Sequence, residues 1–105
     1  MEQKEFIKEV EKLKKHLEVY PEDVESYLIL GKFYFLNKKY TEAIQTYREL
    51  LKFSEDNIYA YYNLAVAYEA KKNYDEAKKH YRKVLELDKD NKDAQDALNR
   101  ISTFQ

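Results

Sequence analysis

The residue types best suited to catalysis or metal binding are few and widely spaced in this chain. The two histidines, His16 and His80, are far apart in sequence, and there is no cysteine. A zinc site needs several His or Cys ligands at close spacing, which this pattern does not offer. The one glycine, Gly31, falls inside a helical pattern, so there is no glycine-rich phosphate loop. We therefore expect both histidines to be ordinary surface residues, and we expect no enzyme activity, metal site or cofactor.

Basic residues concentrate in one stretch of the second half of the chain. They are Lys71, Lys72, Lys78, Lys79, Arg82 and Lys83. Asp75 and Glu76 interrupt this stretch, and it has none of the interleaved aromatic residues of single-strand binders. Over the whole chain, 19 basic residues are balanced by 20 acidic ones. We expect a solvated helix face here, and no nucleic-acid or membrane partner.

Composition limits the chain to one domain rich in helix. Its 105 residues can enclose one continuous core, and one Gly and one Pro leave little material for turns or linkers. The first residues have no apolar signal-peptide core, and no apolar run approaches the length of a membrane span. The absence of cysteine leaves the redox compartment open. We expect a cytoplasmic protein, unless the chain is a piece of a longer exported one.

The elements that must position any functional residue follow from an internal repeat. Twelve residues recur as the same type 34 positions later in the sequence. The first copies are Tyr27, Leu30, Tyr34, Lys38, Tyr40, Glu42, Ala43, Tyr47, Arg48, Leu51, Asp56 and Asn57. Their spacings of three, four and seven predict two amphipathic helices in each copy.

These residues resemble the tetratricopeptide-repeat (TPR) family, whose repeat is 34 residues long. The family's opening pattern is present as Tyr27-x-x-Leu30-Gly31-x-x-Tyr34 and as Tyr61-x-x-Leu64-Ala65-x-x-Tyr68. Its second half is present as Ala43…Tyr47 and Ala77…Tyr81. Tyr replaces the usual Trp, and the closing proline is present only as Pro21. The resemblance implies an all-α superhelix of about six antiparallel helices, with small residues where the helices cross.

The resemblance also divides the chain into four segments. Residues 1–23 are expected to form an N-terminal capping half-repeat, 24–57 repeat 1, 58–91 repeat 2, and 92–105 a C-terminal capping helix. The expected helices are 2–19, 24–37, 41–53, 58–71, 75–87 and 92–103. The expected N-caps within the repeats are Asp23, Thr41, Asn57 and Asp75.

In this family the first helix of each hairpin lines a concave groove that holds a peptide. By position, the groove residues are Leu28, Ile29, Lys32, Phe35, Tyr59, Tyr62, Asn63, Val66, Glu69 and Arg100, and the lining also includes Glu25, Asp93 and Asp96. Some family members grip acidic chaperone tails with a clamp of Lys, Asn and Arg. Only Asn63 of that clamp is present here; its other places hold Leu28, Lys32, Asp93 and Ala97, so we exclude a chaperone-tail ligand.

The function expected from this resemblance is that of an adaptor binding a protein or peptide segment in an apolar groove. One scaffold serves many partners, so the partner itself stays open. The alternative is a structural self-association module, a homo-oligomer or part of a longer array. In that case the same apolar strip, or the edge of the first helix at Phe6 and Ile7, would contact another copy.

Overall fold

The computed structural model describes residues 2–103 and contains six α-helices and no strand within them. They are α1 (Gln3–Val19), α2 (Val24–Leu36), α3 (Tyr40–Leu51), α4 (Ile58–Ala70), α5 (Tyr74–Leu87) and α6 (Lys92–Ser102). The prediction of an all-α chain of six helices is confirmed. Met1, Phe104 and Gln105 lie outside the described residues, so the last two positions of the expected segment 92–105 do too. None of the described helices is both long and apolar enough to cross a bilayer.

The helices stack in chain order. Each one packs against the next, and α2 also contacts α4, which gives a molecule of 39 × 28 × 18 Å. One core runs through the stack, and Leu64, Tyr81 and Val84 are among its fully buried side chains. A single hairpin has only one apolar face, and stacking is what buries it.

Small residues lie where the helices cross, as the sequence indicates. Ala43, Ala65 and Ala77 are completely buried. Gly31 on α2 lies against the ring of Tyr47 on α3, and a Cβ atom at Gly31 would be 2.3 Å from Tyr47 Cε1. This close approach explains why the glycine stands inside a helix, where it otherwise costs stability.

The start of α2, α4 and α6 repeats one side-chain tether. The Tyr27 hydroxyl donates to the carbonyl of Pro21 (2.7 Å), and Tyr61 donates to that of Glu55 (3.0 Å). In α6, Gln95 Nε2 donates to the carbonyl of Lys89 (3.0 Å), so the amide takes the place of the phenol. The third unit therefore begins in the same way as the two full repeats.

Asparagine caps three helices. The side chain of Asn57 accepts a hydrogen bond from the backbone N–H of Ala60, and Asn91 accepts one from Ala94. Asn73 caps α5. The expectation that Asp75 caps this helix is therefore wrong: α5 begins one residue earlier, at Tyr74, and Asp75 lies in its first turn.

Of the other two expected caps, Thr41 is wrong and Asp23 is right in position only. Thr41 lies inside α3, and its hydroxyl accepts a hydrogen bond from Lys71 Nζ instead (2.9 Å). Asp23 does stand at the start of α2, but its carboxylate accepts no backbone cap bond. That carboxylate accepts from the Ser26 hydroxyl (2.9 Å) and pairs with His16 Nε2 (2.7 Å). These bonds hold the pKa of Asp23 below its ordinary value, with the His16 bond contributing most.

The turns inside the two hairpins contain a lysine in the left-handed conformation. Lys38 has φ 62° and Lys72 has φ 64°. After α2, the N–H of Lys38 bonds to the carbonyl of Phe35 and the N–H of Lys39 to that of Tyr34. The same pair of bonds follows α4. This is the Schellman ending, in which glycine is the usual left-handed residue.

Candidate functional site

A continuous groove runs between α2 and α4 and ends at α6. It consists of two hollows of about 450 and 430 Å³ that share Phe35, Tyr62 and Val66. The first hollow is also lined by Lys32, Leu36, Tyr47 and Asn63. The second is also lined by Glu69, Ala70, Tyr81 and Arg100. We call the two together the central groove.

Aromatic rings packed against their neighbours form the apolar middle of the central groove. The ring of Tyr62 meets that of Tyr81 edge-on, with 5.6 Å between centroids. The ring of Phe35 lies 5.3 Å from that of Tyr40. Both groove rings are half-buried, so they are held in place and still present an apolar surface to solvent.

An ion pair closes the α6 end of the central groove. Arg100 Nη2 donates to both carboxylate oxygens of Glu69, at 2.7 and 2.9 Å, and Arg100 Nε donates to Oε2 at 3.2 Å. The hydroxyl of Tyr81 donates to the same carboxylate (2.8 Å). The bond to Glu69 raises the pKa of Arg100. The guanidinium and carboxylate therefore neutralise each other, and this end of the groove is polar.

The tyrosine hydroxyls around the central groove are held neutral. Burial raises the pKa of Tyr62, and the negative charge of Asp93 adds to the effect. Burial alone raises the pKa of Tyr47 to about 12. Burial, followed by the hydrogen bond to Glu69, raises the pKa of Tyr81 well above its ordinary value. These hydroxyls remain hydrogen-bond donors at neutral pH.

The α2 end of the central groove carries an ammonium group. Lys32 is exposed and has no ion-pair partner among residues 2–103. The amide of Asn63 lines the same hollow. This end therefore offers hydrogen-bond donors and one positive charge beside the apolar rings.

Seven of the ten expected groove residues line the central groove. They are Lys32, Phe35, Tyr62, Asn63, Val66, Glu69 and Arg100. Ile29 does not line the central groove and lies in an adjoining apolar hollow of about 240 Å³, together with Lys32, Phe33 and Leu36. Leu28 packs into the core, and Tyr59, 68% exposed, lines neither hollow. These three are not brought into the groove.

Four groove residues were not among those expected. Tyr47 and Tyr81 occupy corresponding positions of the repeat pattern, and their buried rings also line the groove. Leu36 and Ala70 end α2 and α4, and each stands four residues after a groove residue, Lys32 or Val66. That spacing was the available signal.

Two further expectations require correction. His80 is not a surface residue: its side chain is only 14% exposed, and its ring lies between those of Tyr61 and Tyr68. Phe6 is buried against Tyr34, so it is not part of an open edge on α1. The described residues contain no group of three or more His, Asp or Glu side chains placed to hold a metal ion.

Two family models match the sequence. The model described as "Tetratricopeptide repeat" covers residues 58–91, and the model described as "TPR repeat" covers residues 31–72. Together they span more than half of the chain. A comparison with curated protein sequences finds no significant match.

Solved structures share the whole fold. The "First TPR of Spaghetti (RPAP3) bound to HSP90 peptide SRMEEVD" has a TM-score of 0.85 and 26% identity, over 96% of this chain and 80% of that one. The Arabidopsis OM64 TPR domain has a TM-score of 0.82 and 22% identity, over 93% and 81%. MamA from Desulfovibrio magneticus has a TM-score of 0.82 and 18% identity, over 94% and 56%. The last two likenesses concern the fold alone.

Proposed function

This chain belongs to the tetratricopeptide-repeat family, and we propose that it is an adaptor whose central groove binds a peptide segment of a partner protein. The observation that carries the proposal is the apolar middle of the groove, formed by Phe35, Tyr62 and Val66 between two polar ends. Apolar strips with polar edges on otherwise charged proteins mark contact sites. The groove contains no arrangement of side chains suited to chemistry of its own.

A structural relative supports a peptide as the ligand. The Spaghetti TPR domain, which this chain resembles over nearly its full length, is bound to the HSP90 peptide SRMEEVD. That peptide ends in acidic residues, whereas Arg100 here is already neutralised by Glu69. We therefore propose a ligand recognised mainly through its apolar side chains, with polar groups meeting Lys32 and Asn63.

Selection from a random peptide library displayed on phage tests this proposal. The selected peptides are resynthesised and their dissociation constants measured with the parent, Tyr62→Ala and Phe35→Ala. Truncation of an anchoring aromatic residue costs about 2 kcal/mol, so affinity should fall by about thirtyfold. Because Tyr62 and Phe35 also pack against Tyr81 and Tyr40, each variant is measured well below its own melting temperature.

Two variants outside the groove serve as controls. Tyr20→Ala removes a tyrosine that is 59% exposed at the end of α1, and Lys79→Glu reverses an exposed charge on α5. Both should bind the selected peptides as tightly as the parent does. If the controls lose affinity while the groove variants keep it, the peptide site lies elsewhere and the proposal fails.

Self-association is a second candidate, favoured by one observation. Ile29 and Leu36 on α2 are 41% and 65% exposed and line an apolar hollow beside the central groove, which Leu36 also lines. A second copy packed on this face would bury them. Analytical ultracentrifugation of the parent and of Ile29→Glu, which changes no residue of the central groove, decides the matter: a parent that stays monomeric at high concentration eliminates this candidate.

A further inference from the structure

A cavity of about 470 Å³ opens between α1 and α3, and it shares no lining residue with the central groove. Two tyrosine rings, two carboxylates, a hydroxyl and an ammonium group are among its lining groups. They belong to Tyr27, Tyr34, Glu42, Glu49, Thr46 and Lys14. We call this space the lateral cavity.

The 34-residue repeat shows what fills the matching space one unit later. His80 corresponds to Thr46 in the repeat. The Thr46 hydroxyl donates to the carbonyl of Glu42 (2.8 Å), and His80 Nδ1 makes the same bond to the carbonyl of Glu76 (2.8 Å). The threonine therefore keeps the backbone contact and leaves out the imidazole ring.

The missing ring accounts for the open space. In repeat 2, the His80 ring lies 6.3 Å from the Tyr61 ring and 5.2 Å from the Tyr68 ring. These two tyrosines correspond to Tyr27 and Tyr34, which line the lateral cavity. In repeat 1, Thr46 places no ring between Tyr27 and Tyr34, although one face of Tyr27 stacks on Phe53 (6.0 Å) and the Tyr34 ring meets Phe6 edge-on (6.1 Å).

Cations occupy the tyrosine faces in repeat 2. Lys83 Nζ lies 5.7 Å from the centroid of the Tyr61 ring. The guanidinium carbon of Arg48 lies 5.8 Å from the centroid of the Tyr68 ring, and Arg48 also donates to the hydroxyl of Tyr68. Both contacts have the geometry of a cation held over a π-face.

The corresponding charges differ in repeat 1. Lys14 stands at the position of Arg48, so this position has a positive charge in both units. Glu49 stands at the position of Lys83, so a carboxylate replaces the ammonium that lies over the tyrosine ring. The charge of Glu49 also contributes, after burial, to raising the pKa of Tyr27, which places it within electrostatic reach of that ring.

Glu49 is not locked in an internal ion pair. Its carboxylate meets Lys52 Nζ at 2.9 Å, but the two side chains are 52% and 65% exposed, and such pairs exchange readily with solvent. Glu42 is exposed and forms no salt bridge with any of residues 2–103. The lateral cavity thus offers the remaining face of Tyr27, the two carboxylates of Glu42 and Glu49, and space, with the Lys14 ammonium at the α1 side.

We propose that the lateral cavity binds the cationic end of a lysine or arginine side chain from a basic peptide segment of a partner protein. The cation lies over the ring of Tyr27, beside the carboxylates of Glu49 and Glu42, in the place that Lys83 takes over Tyr61. Thr46 leaves room for the aliphatic stem. This site is separate from the central groove, so it neither requires peptide binding there nor excludes it.

Nuclear magnetic resonance titration of the whole chain tests the proposal with a blocked Gly-Gly-Lys-Arg-Gly-Gly peptide. The probe should shift the resonances of residues lining the lateral cavity, and a Gly-Gly-Gln-Gln-Gly-Gly peptide should not.

The double variant Thr46→His with Glu49→Lys copies the side chains of repeat 2, which fill the same space in the same fold. This variant should weaken binding by about tenfold or more, because it removes the Glu49 carboxylate and places a lysine over the Tyr27 ring. Glu49→Gln alone keeps the side-chain volume and should give a smaller loss.

The reciprocal exchange provides a gain of function. His80→Thr with Lys83→Glu removes the ring and the cation from repeat 2, and it should create a second site, seen as new shifts around Tyr61. Circular dichroism at the titration temperature shows whether each variant is folded. The proposal is overturned if the glutamine peptide shifts the same resonances, or if the Thr46→His, Glu49→Lys variant binds as tightly as the parent. If the parent chain binds no peptide in the central groove but still shows these shifts, only the proposed function is contradicted.

Discussion

Arg100 on α6 and Glu69 on α4 form a two-pronged ion pair, with Nη2 reaching both carboxylate oxygens at 2.7 and 2.9 Å. The two residues are 31 positions apart in sequence. Their bond ties the last helix to the wall of the central groove, so the same contact shapes the groove and holds the fold together.

Reversing one charge of this pair should destabilise the chain, and reversing both should restore the part of the stability that the ion pair contributes, but not the part that comes from the Tyr81 bond to Glu69. Glu69→Arg sets two guanidinium groups against each other, whereas Glu69→Arg with Arg100→Glu recreates the attraction. Since Arg100 is 50% exposed, we expect an effect of about 1 kcal/mol or less on the free energy of unfolding. Urea unfolding of the parent, the two single variants Glu69→Arg and Arg100→Glu, and the double variant gives the coupling free energy of the pair. A coupling of zero would mean that the pair does not hold α6.

Gly31→Ala should destabilise the chain, although alanine is the better helix former. A Cβ atom at this position would be 2.3 Å from Tyr47 Cε1, so the buried Tyr47 ring must shift or the helices must move apart. Overpacking of this kind costs about 1–3 kcal/mol. Ala43→Leu and Ala77→Leu should act in the same way. Thermal unfolding measures each variant, with Lys32→Ala on the exposed side of α2 as the control; a higher melting temperature for Gly31→Ala would contradict the close crossing.

Stability should fall at alkaline pH because buried tyrosines retain their protons. Burial raises the pKa of Tyr47 to about 12, from an ordinary value of 10.0 in the unfolded chain. Above pH 10 the unfolded chain releases this proton while the folded chain keeps it. The free energy of unfolding contributed by Tyr47 is therefore fully present below pH 10 and is lost between pH 10 and about 12. The slope approaches about 1.4 kcal/mol per pH unit for each such tyrosine.

Tyr47→Phe isolates this effect from the titration of lysines. The variant lacks the phenol, so its urea-unfolding free energy should fall less steeply with pH than that of the parent. Tyr20→Phe is the matched control, since Tyr20 is exposed. Equal slopes for Tyr47→Phe and the parent would show that Tyr47 does not cause the loss.

Glycine at the left-handed turn positions should stabilise the chain. Lys38 and Lys72 have φ of 62° and 64°, where a side chain is strained and glycine is not. We expect Lys38→Gly and Lys72→Gly each to raise the free energy of unfolding by up to about 1 kcal/mol. Lys39→Gly is the control, because φ there is −94°. A gain at Lys39 equal to that at Lys38 would remove backbone strain as the reason.

We propose that the terminal segments act as caps, and deletion of 92–105 tests this. Ala94, Ala97 and Ile101 are buried, and α6 packs against α5. Without α6, the apolar face of α5 meets water, so we expect a lower melting temperature and concentration-dependent aggregation. Light scattering and circular dichroism on the truncated chain measure both. A truncated chain that is monomeric and equally stable would refute the capping role.

The fold could be predicted because helix spacing and the repeat point to the same answer. Residues at intervals of three and four define the helices, and the 34-residue recurrence shows that they stack. Phe35, Tyr62 and Val66 could be assigned to the groove because position within the repeat decides which way a side chain faces. The assignment of Ile29 to the groove was wrong for a related reason. The described chain has no first helix of a preceding repeat beside α2, so Ile29 lies outside the central groove.

Local choices between similar residues could not be predicted. Asn73 and Asp75 are both good capping residues two positions apart, and only the turn geometry selects the first. The left-handed turns contain Lys38 and Lys72, whereas the sequence signal for that conformation is glycine. The contact of Glu69 with Arg100 depends on how two separate helices are placed, which the period of each helix does not specify.

The tether at the start of each unit has a consequence for growth of the molecule. Tyr27, Tyr61 and Gln95 each hold the carbonyl of the residue six positions earlier. A further copy of residues 58–91 inserted after Asn91 would meet, on either side, surfaces of the kind that repeat 2 already meets. The chain is thus a short linear array whose repeating unit is the helical hairpin. Each added hairpin would lengthen the groove without changing the rest.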